Sequence, residues 1–315
     1  MSLTTGFDFS SFYVRMTPSG REHLLVRPGI TLTFYIDEAL APTCAGVADL
    51  IEFFFSIEPK STLRTFVGKD GHYKPLTDRQ ITKDLKALRN LPADQQGFTL
   101  DYSEGELGQA GSHDVFLMAM NPSASRPDIS NVVRLEFPEN IVDVWGEERV
   151  LQVVKDAAEI LPFTSGHAGF AFKHSLPLES QALAAIAPLL PRYLGFDTSD
   201  YWMATRMRGH TVTSHWINLL GPQLSEKLGG IDAMRAAVGE AEVKPLRNGT
   251  WIRGARLPPV GDVNRGAADL GQLPNVARLL RPIRCGNPRS GHKNFDINAW
   301  LGRFDDLAAK PWDNS

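Results

Sequence analysis

The 315-residue chain predicts an α+β fold, with mixed sheets and packed helices in one compact unit. Three observations predict it. Residues 30–36 and several similar runs carry the two-residue alternation of strands, and residues 147–161 carry the 3.6-residue period of a helix. Both kinds of run interleave along the chain, and no low-complexity linker divides them.

Residues 1–22 are polar and mixed and read as an arm or edge segment. In 30–36, Ile30, Leu32, Phe34 and Ile36 alternate with Thr31, Thr33 and Tyr35, a strand signal. Pro42 opens a helical pattern through Val47, Leu50, Ile51, Phe54 and Phe55, closed before Pro59. A strand at 63–67 leads to a turn at Lys69-Asp70-Gly71. Thr77 suits the N-cap of a helix with Ile81, Leu85 and Leu88 on one face. Strands follow at 98–102, 115–120 and 132–137. Glu147 and Glu148 begin a helix to Leu161, where negative charge favours the helix dipole; its apolar set is Val150, Val153, Val154, Ala157 and Leu161.

Residues 168–172 read as a buried strand and 179–190 as a Leu/Ala helix. Residues 211–220 read as a strand running into Gly221-Pro222, and Pro222 fits a first helical turn. Leu220, Leu224 and Leu228 form a stripe that Gly229 stops, and a short helix at 231–238 follows. A strand at 250–252 precedes a last helix opened by Pro274, with Val276, Leu279 and Leu280 inward. Residues 285–293 are rich in Gly, Pro and Arg and are expected to be exposed. Strand–helix–strand passages at 30–67 and 132–172 leave open two similar α/β halves. The expected organisation is a single unit, 1–315, with 1–22 and 294–315 peripheral.

Hydrophobic residues make up 43% of the chain, enough for a substantial core. A net charge of −3 excludes a generally basic nucleic-acid binder. Two cysteines, Cys44 and Cys285, cannot build a disulfide framework. The first residues lack a basic segment followed by an apolar one, so no secretory signal is read. No run approaches the roughly 20 apolar residues of a membrane helix. The expectation is a cytoplasmic protein without a membrane partner.

Motifs for phosphate cradles, dinucleotide sites, nucleophile elbows and paired-cysteine metal sites are absent. His210 and His215 lie five apart, on opposite faces if the segment is a strand, which argues against a shared metal. His167 and His174 read as surface or loop histidines. Asp262, Asn264 and Arg265, after Pro258-Pro259-Val260-Gly261, form the most enzyme-like group, with His215 or Asp262 as acid or base. The competing structural reading has Asp262 and Asn264 bonding their own turn, with Arg265 locking Asp262. Trp216 and Trp251 read as packing aromatics. The acidic run Glu136, Glu139, Asp143, Glu147, Glu148 is either a solvated face or a patch for a basic partner. Arg278, Arg281, Arg284, Arg289 and Lys293 form a basic counterpart. No cofactor, metal or catalytic residue is assigned.

Several motifs occur in order: Trp216 to Leu220, Leu228-Gly229-Gly230, Gly249 to Gly254, Pro258 to Arg265, and Leu280 to Arg284. In this order and spacing, the stretch 212–285 resembles the bacterial type VI secretion immunity family, TsiT-like immunity proteins among it. The likeness extends more weakly back to about residue 30. The Arg256-Leu257-Pro258-Pro259 run departs from the pattern and bears on the loop it precedes. The resemblance implies a protein that binds a cognate secreted toxin acting in the cytoplasm, a nuclease of the restriction-endonuclease type being the first expectation. It would occlude the toxin's active site or substrate groove, with no direct nucleic-acid contact, and a homodimer is compatible with it. Trp216, Asn218, Gly229, Gly230, Gly254, Gly261, Asp262, Asn264 and Arg265 are then scaffold residues. Toxin contact is expected from the 107–114 loop, from Glu139, Asp143, Glu147 and Glu148, or from Tyr201, Trp202 and Arg206. Two rivals stand beside this reading: an enzyme built on Asp262, Asn264, Arg265 and His215, and an adaptor that loads the toxin without neutralising it.

Overall fold

A computed structural model describes residues 7–17, 20–92, 94–198, 201–289 and 295–309, the side chain of Tyr201 excepted. The strands are β1 (Val14–Met16), β2 (His23–Ile36), β3 (Thr65–Val67), β4 (Tyr73–Pro75), β5 (Gly97–Ser103), β6 (Asp114–Met120), β7 (Asn131–Pro138), β8 (Ser165–His174), β9 (Ile217–Leu220), β10 (Glu242–Leu246) and β11 (Gly249–Arg253). They form one sheet, ordered β10-β11-β9-β8-β2-β7-β6-β5-β3-β4, with β1 paired to β2. Every ladder is antiparallel. The α+β class holds, and the expected sheets merge into this single sheet.

The helices are α1 (Leu40–Ile57), α2 (Asp78–Arg89), α3 (Ile141–Trp145), α4 (Glu147–Ile160), α5 (Glu179–Ile186), α6 (Pro222–Lys227), α7 (Gly230–Ala237), α8 (Leu273–Leu280) and α9 (Ile297–Leu301). Local signals set several ends. Thr77 accepts a bond from Gln80 N and caps α2. Pro222 sits in the first turn of α6, and Gly229, at φ 84°, separates α6 from α7.

The 14-residue β2 is the spine. Its register sets Ile30 against Phe137 and Phe170, and Leu32 against Leu135 and Ala168, so these apolar side chains share one face. Phe54 of α1 meets Phe137 there at 5.6 Å. By the same register Thr31 faces Glu136 and Gly169, and Thr33 faces Arg134 and His167. This second face is polar, yet Thr31, Thr33, Arg134, Glu136, His167 and Lys173 are all buried. Loops 104–113 and 211–216 and the C-terminal segment help to cover it.

Four expectations need correction. Residues 211–216 are loop, and the strand begins at Ile217, where pairing with β8 and β11 starts. The two ends expected to be peripheral carry core side chains: Phe12 is buried, as are Trp300, Leu301 and Phe304. Of the exposed basic group, Arg284 is half-buried on Asp305 at 2.8 Å, and Lys293 lies outside the described residues. An apolar helix of membrane-spanning length does occur among the described residues: α1, 18 residues of mean hydropathy 1.5. Leu40, Val47, Leu50, Ile51 and Phe54 bury it against the sheet, which is how a core helix of a globular fold behaves.

Candidate functional site

The 258–265 loop resolves into a self-contained lock. Asp262 caps a short 3-10 turn, accepting from Asn264 N at 3.0 Å. Its two oxygens also accept a bidentate pair from Arg192, at 3.0 and 3.1 Å. The Arg192 bonds hold the Asp262 carboxyl below its usual range. Arg265 stands 3.9 Å away and is mostly exposed, so the lock expected from Arg265 comes chiefly from Arg192, 70 residues upstream. Asp269, which the sequence reading passed over, accepts from Val260 N at 2.6 Å and Gly261 N at 3.1 Å. Gly261 has φ 66°, and a Cβ there would sit 2.8 Å from Gly195 N, so only glycine fits.

The other motif residues also serve the fold. Trp216 is buried and donates Nε1–H to Ala255 O at 3.0 Å. Asn218 clamps the approach to β9, accepting from His215 N at 3.0 Å and donating to His215 O at 2.9 Å. Gly230 opens α7. Gly254 lies against α8, where an added Cβ would approach Leu273 Cδ1 to 2.9 Å. His215 does not join Asp262, Asn264 and Arg265. It stacks on His167 at 4.0 Å. His167 is buried on β8, because the 211–216 loop lies over it. The face-parity argument against a metal at His210 and His215 therefore does not apply, since neither residue is on a strand.

Three surface candidates separate by exposure. In the acidic run, Glu139 is engaged by Tyr13 at 2.6 Å and Arg27 at 3.4 Å, and Glu147 by Arg253 at 3.0 Å and Arg256 at 3.5 Å. Asp143 is half-buried and Glu148 exposed. Between them Val144 of α3 is 65% exposed, while Trp145 anchors the helix on Phe137 at 5.5 Å. In the 107–114 loop Leu107 is 54% exposed and holds φ 52°, a conformation costing about 1 kcal/mol or more for a non-glycine residue. The loop braces it: Thr65 Oγ1 donates to Gly105 O at 2.8 Å, Ser112 N to Glu104 Oε2 at 3.0 Å and Leu24 N to Gln109 Oε1 at 3.0 Å.

The register joins these two candidates. Asp114 opens β6 opposite Glu136, two residues before β7 ends at Pro138. The 104–113 loop and the 139–146 segment thus leave neighbouring strands at the same end of the sheet. Tyr201, Trp202 and Arg206 meet the opposite end, where Ser130 N donates to Ala204 O at 2.9 Å. There Arg206 pairs with Asp128 at 3.0 Å and Trp202 Nε1 reaches Glu179 at 3.5 Å.

The motif residues thus hold loops to one another, and exposed Leu107 and Val144 sit on a braced loop and an anchored helix. A family model described as "TsiV: Type VI immunity for VRR-NUC" matches residues 52–313. The chain belongs to this family of type VI immunity proteins, and its cognate toxin is a VRR-NUC nuclease. The solved structure of Pseudomonas aeruginosa T6SS protein PA0821 is similar, with a TM-score of 0.76 at 18% identity over 95% of this chain and 92% of that one. That likeness speaks for the fold. No curated protein matches the sequence.

Proposed function

We propose that the protein neutralises its toxin by stoichiometric occlusion, docking through the sheet end that carries Leu107 and Val144. The observation that carries this reading is that two large apolar side chains, both more than half exposed, lie on the 104–113 loop and on α3, two segments that leave neighbouring strands at the same end of the sheet. Such side chains are well suited to serve as interface anchors, because little order is lost when they are buried. Exposed Glu106 and Glu148 flank them. A nuclease holds the phosphate backbone with cationic groups, so an apolar centre with an acidic rim suits its nucleic-acid groove. The action takes place in the cytoplasm, between proteins, with no membrane, no direct nucleic-acid contact and no bond made or broken. The rival enzyme reading loses support because His215 lies apart from Asp262, and Asp262 is already paired.

The test is co-expression of the VRR-NUC toxin in a sensitive host with the wild-type chain or with Leu107→Arg and Val144→Arg variants. Rescue by wild type and loss of rescue by soluble, folded variants is expected. Toxin binding that survives both substitutions unchanged removes this surface, and binding without rescue turns the reading toward the adaptor.

A further inference from the structure

The polar face of the sheet contains a closed cluster that neither the motif loop nor the docking surface uses. His167 lies on β8. Asp197 belongs to a segment bridged to β8 at Ala171, and His215 lies on the loop before β9. All three are buried. His167 Nε2 stands 2.6 Å from Asp197 Oδ2, and His215 Nε2 stands 3.9 Å from the same oxygen. The other carboxylate oxygen accepts from Thr198 N at 2.6 Å.

The protons can be placed. His215 Nδ1 lies 3.0 Å from the Thr213 carbonyl, which can only accept, so Nδ1 carries the hydrogen and Nε2 presents a lone pair. That Nε2 is fully buried without a hydrogen-bond partner and looks toward the Asp197 carboxylate. His215 Nε2 and the Asp197 oxygen, two electron-rich atoms, thus face each other across 3.9 Å in the buried core, an arrangement that favours a cation between them.

We propose that His167, Asp197 and His215 bind one divalent transition-metal ion, zinc by preference, as three protein ligands that staple three segments of the fold and leave the fourth tetrahedral position to a solvent molecule. Two imidazoles and one carboxylate suit zinc far better than magnesium or calcium, which take oxygen ligands. The Thr213 carbonyl braces His215 in the tautomer that leaves Nε2 free, the usual outer-shell role. The ligand atoms of the three residues lie within 4.8 Å of one another. Zinc–nitrogen and zinc–oxygen bonds of about 2.0–2.2 Å require that spread to contract and the 2.6 Å contact to open. The two rings, stacked with 19° between their planes, must fan apart. Arg303 adds an opposing charge nearby. Its Nε and Nη1 donate to Leu194 O at 2.8 Å and Trp300 O at 3.0 Å, while its Nη2 is buried without a hydrogen-bond partner. The site lies within the core, so the ion serves stability and not chemistry.

The test uses the full chain purified without a histidine tag. Elemental analysis after growth with zinc should give about one equivalent that survives desalting, and chelation should lower Tm. Cobalt(II) added to the chelated protein should give visible bands of tetrahedral intensity in the wild type. His215→Gln and Asp197→Asn should each weaken zinc binding by at least about 100-fold, since each removes a ligand and costs more than the loss of a group that only orients one. The wild-type cobalt spectrum and the chelator shift keep the test decisive if a variant fails to fold. No bound metal, no cobalt spectrum and no Tm response would overturn the proposal and leave a hydrogen-bonded Asp–His pair. Metal that binds equally well to both variants would also overturn it, by placing the ion elsewhere.

Discussion

The 258–265 loop and the sheet end at 104–113 and 139–146 make opposite use of their side chains. The loop is dense in Gly, Pro, Asp, Asn and Arg, the residue types from which enzyme sites are built. Its polar groups are spent on itself, Asp262 on Arg192 and Asn264 N, and Asp269 on Val260 and Gly261. The sheet end has an unremarkable sequence, yet it holds Leu107 at positive φ and displays Val144 on a helix anchored by Trp145. Dense special residues here mark a chain recognising its own loops. The exposed apolar groups of the sheet end are the part of the molecule to which the proposal assigns the toxin.

The comparison breaks most sharply if the motif residues prove dispensable for folding. Trp216→Ala removes a fully buried indole and its bond to Ala255 O. A loss of about 3–5 kcal/mol is expected, read as a lower urea midpoint. A near-neutral result would mean that Trp216 is not scaffold. Next in size is the other side of the comparison. Leu107→Arg with Val144→Arg should weaken toxin binding about 100-fold, about 2.7 kcal/mol, with Tm nearly unchanged because both side chains already face solvent. Titration calorimetry against a catalytically dead toxin measures it.

A smaller effect sharpens the distinction inside the loop. Asp262→Ala deletes a turn cap and the Arg192 pair, and should cost about 1 kcal/mol of stability while leaving toxin affinity unchanged. A drop in affinity without a drop in stability would move the loop into the binding surface.

What the sequence revealed was mostly local. The alternation at 30–36, the cap at Thr77, Pro222 and Gly229 each act within a few residues, and each appears as expected. What it concealed depends on distant partners. His167 reads as a surface or loop histidine, but it is buried with Thr31 and Thr33 on a face that loops from other parts of the chain cover. The partner of Asp262 is 70 residues away. Pro245 lies within β10, where a proline is tolerated since β10 is the sheet's outermost strand. Of the surface candidates, exposure retained Val144's neighbourhood and the Leu107 loop, and it showed Glu139 and Glu147 already paired.

The last prediction probes the buried polar face beside the proposed docking end. Asp101 of β5 pairs across the sheet with Phe116, whose ring lies under the Arg134 guanidinium at 5.2 Å. Burial raises its carboxyl to about 6, against the pull of Arg134 and of the Tyr73 hydroxyl, 3.3 Å from its oxygen. An acid whose folded pKa is raised binds its proton more tightly in the folded chain than in the unfolded one. Its contribution to stability is therefore complete below the unfolded pKa, near 3.9, and is lost as pH rises through about 6. Asp101→Asn removes that titration. The Tm of the variant minus that of the wild type should grow more positive between about pH 4 and pH 6 and stay flat above. A flat difference across the whole window would mean that Asp101 is as well solvated as an ordinary surface carboxylate, and that the polar face is wetter at its β5 edge than at His167.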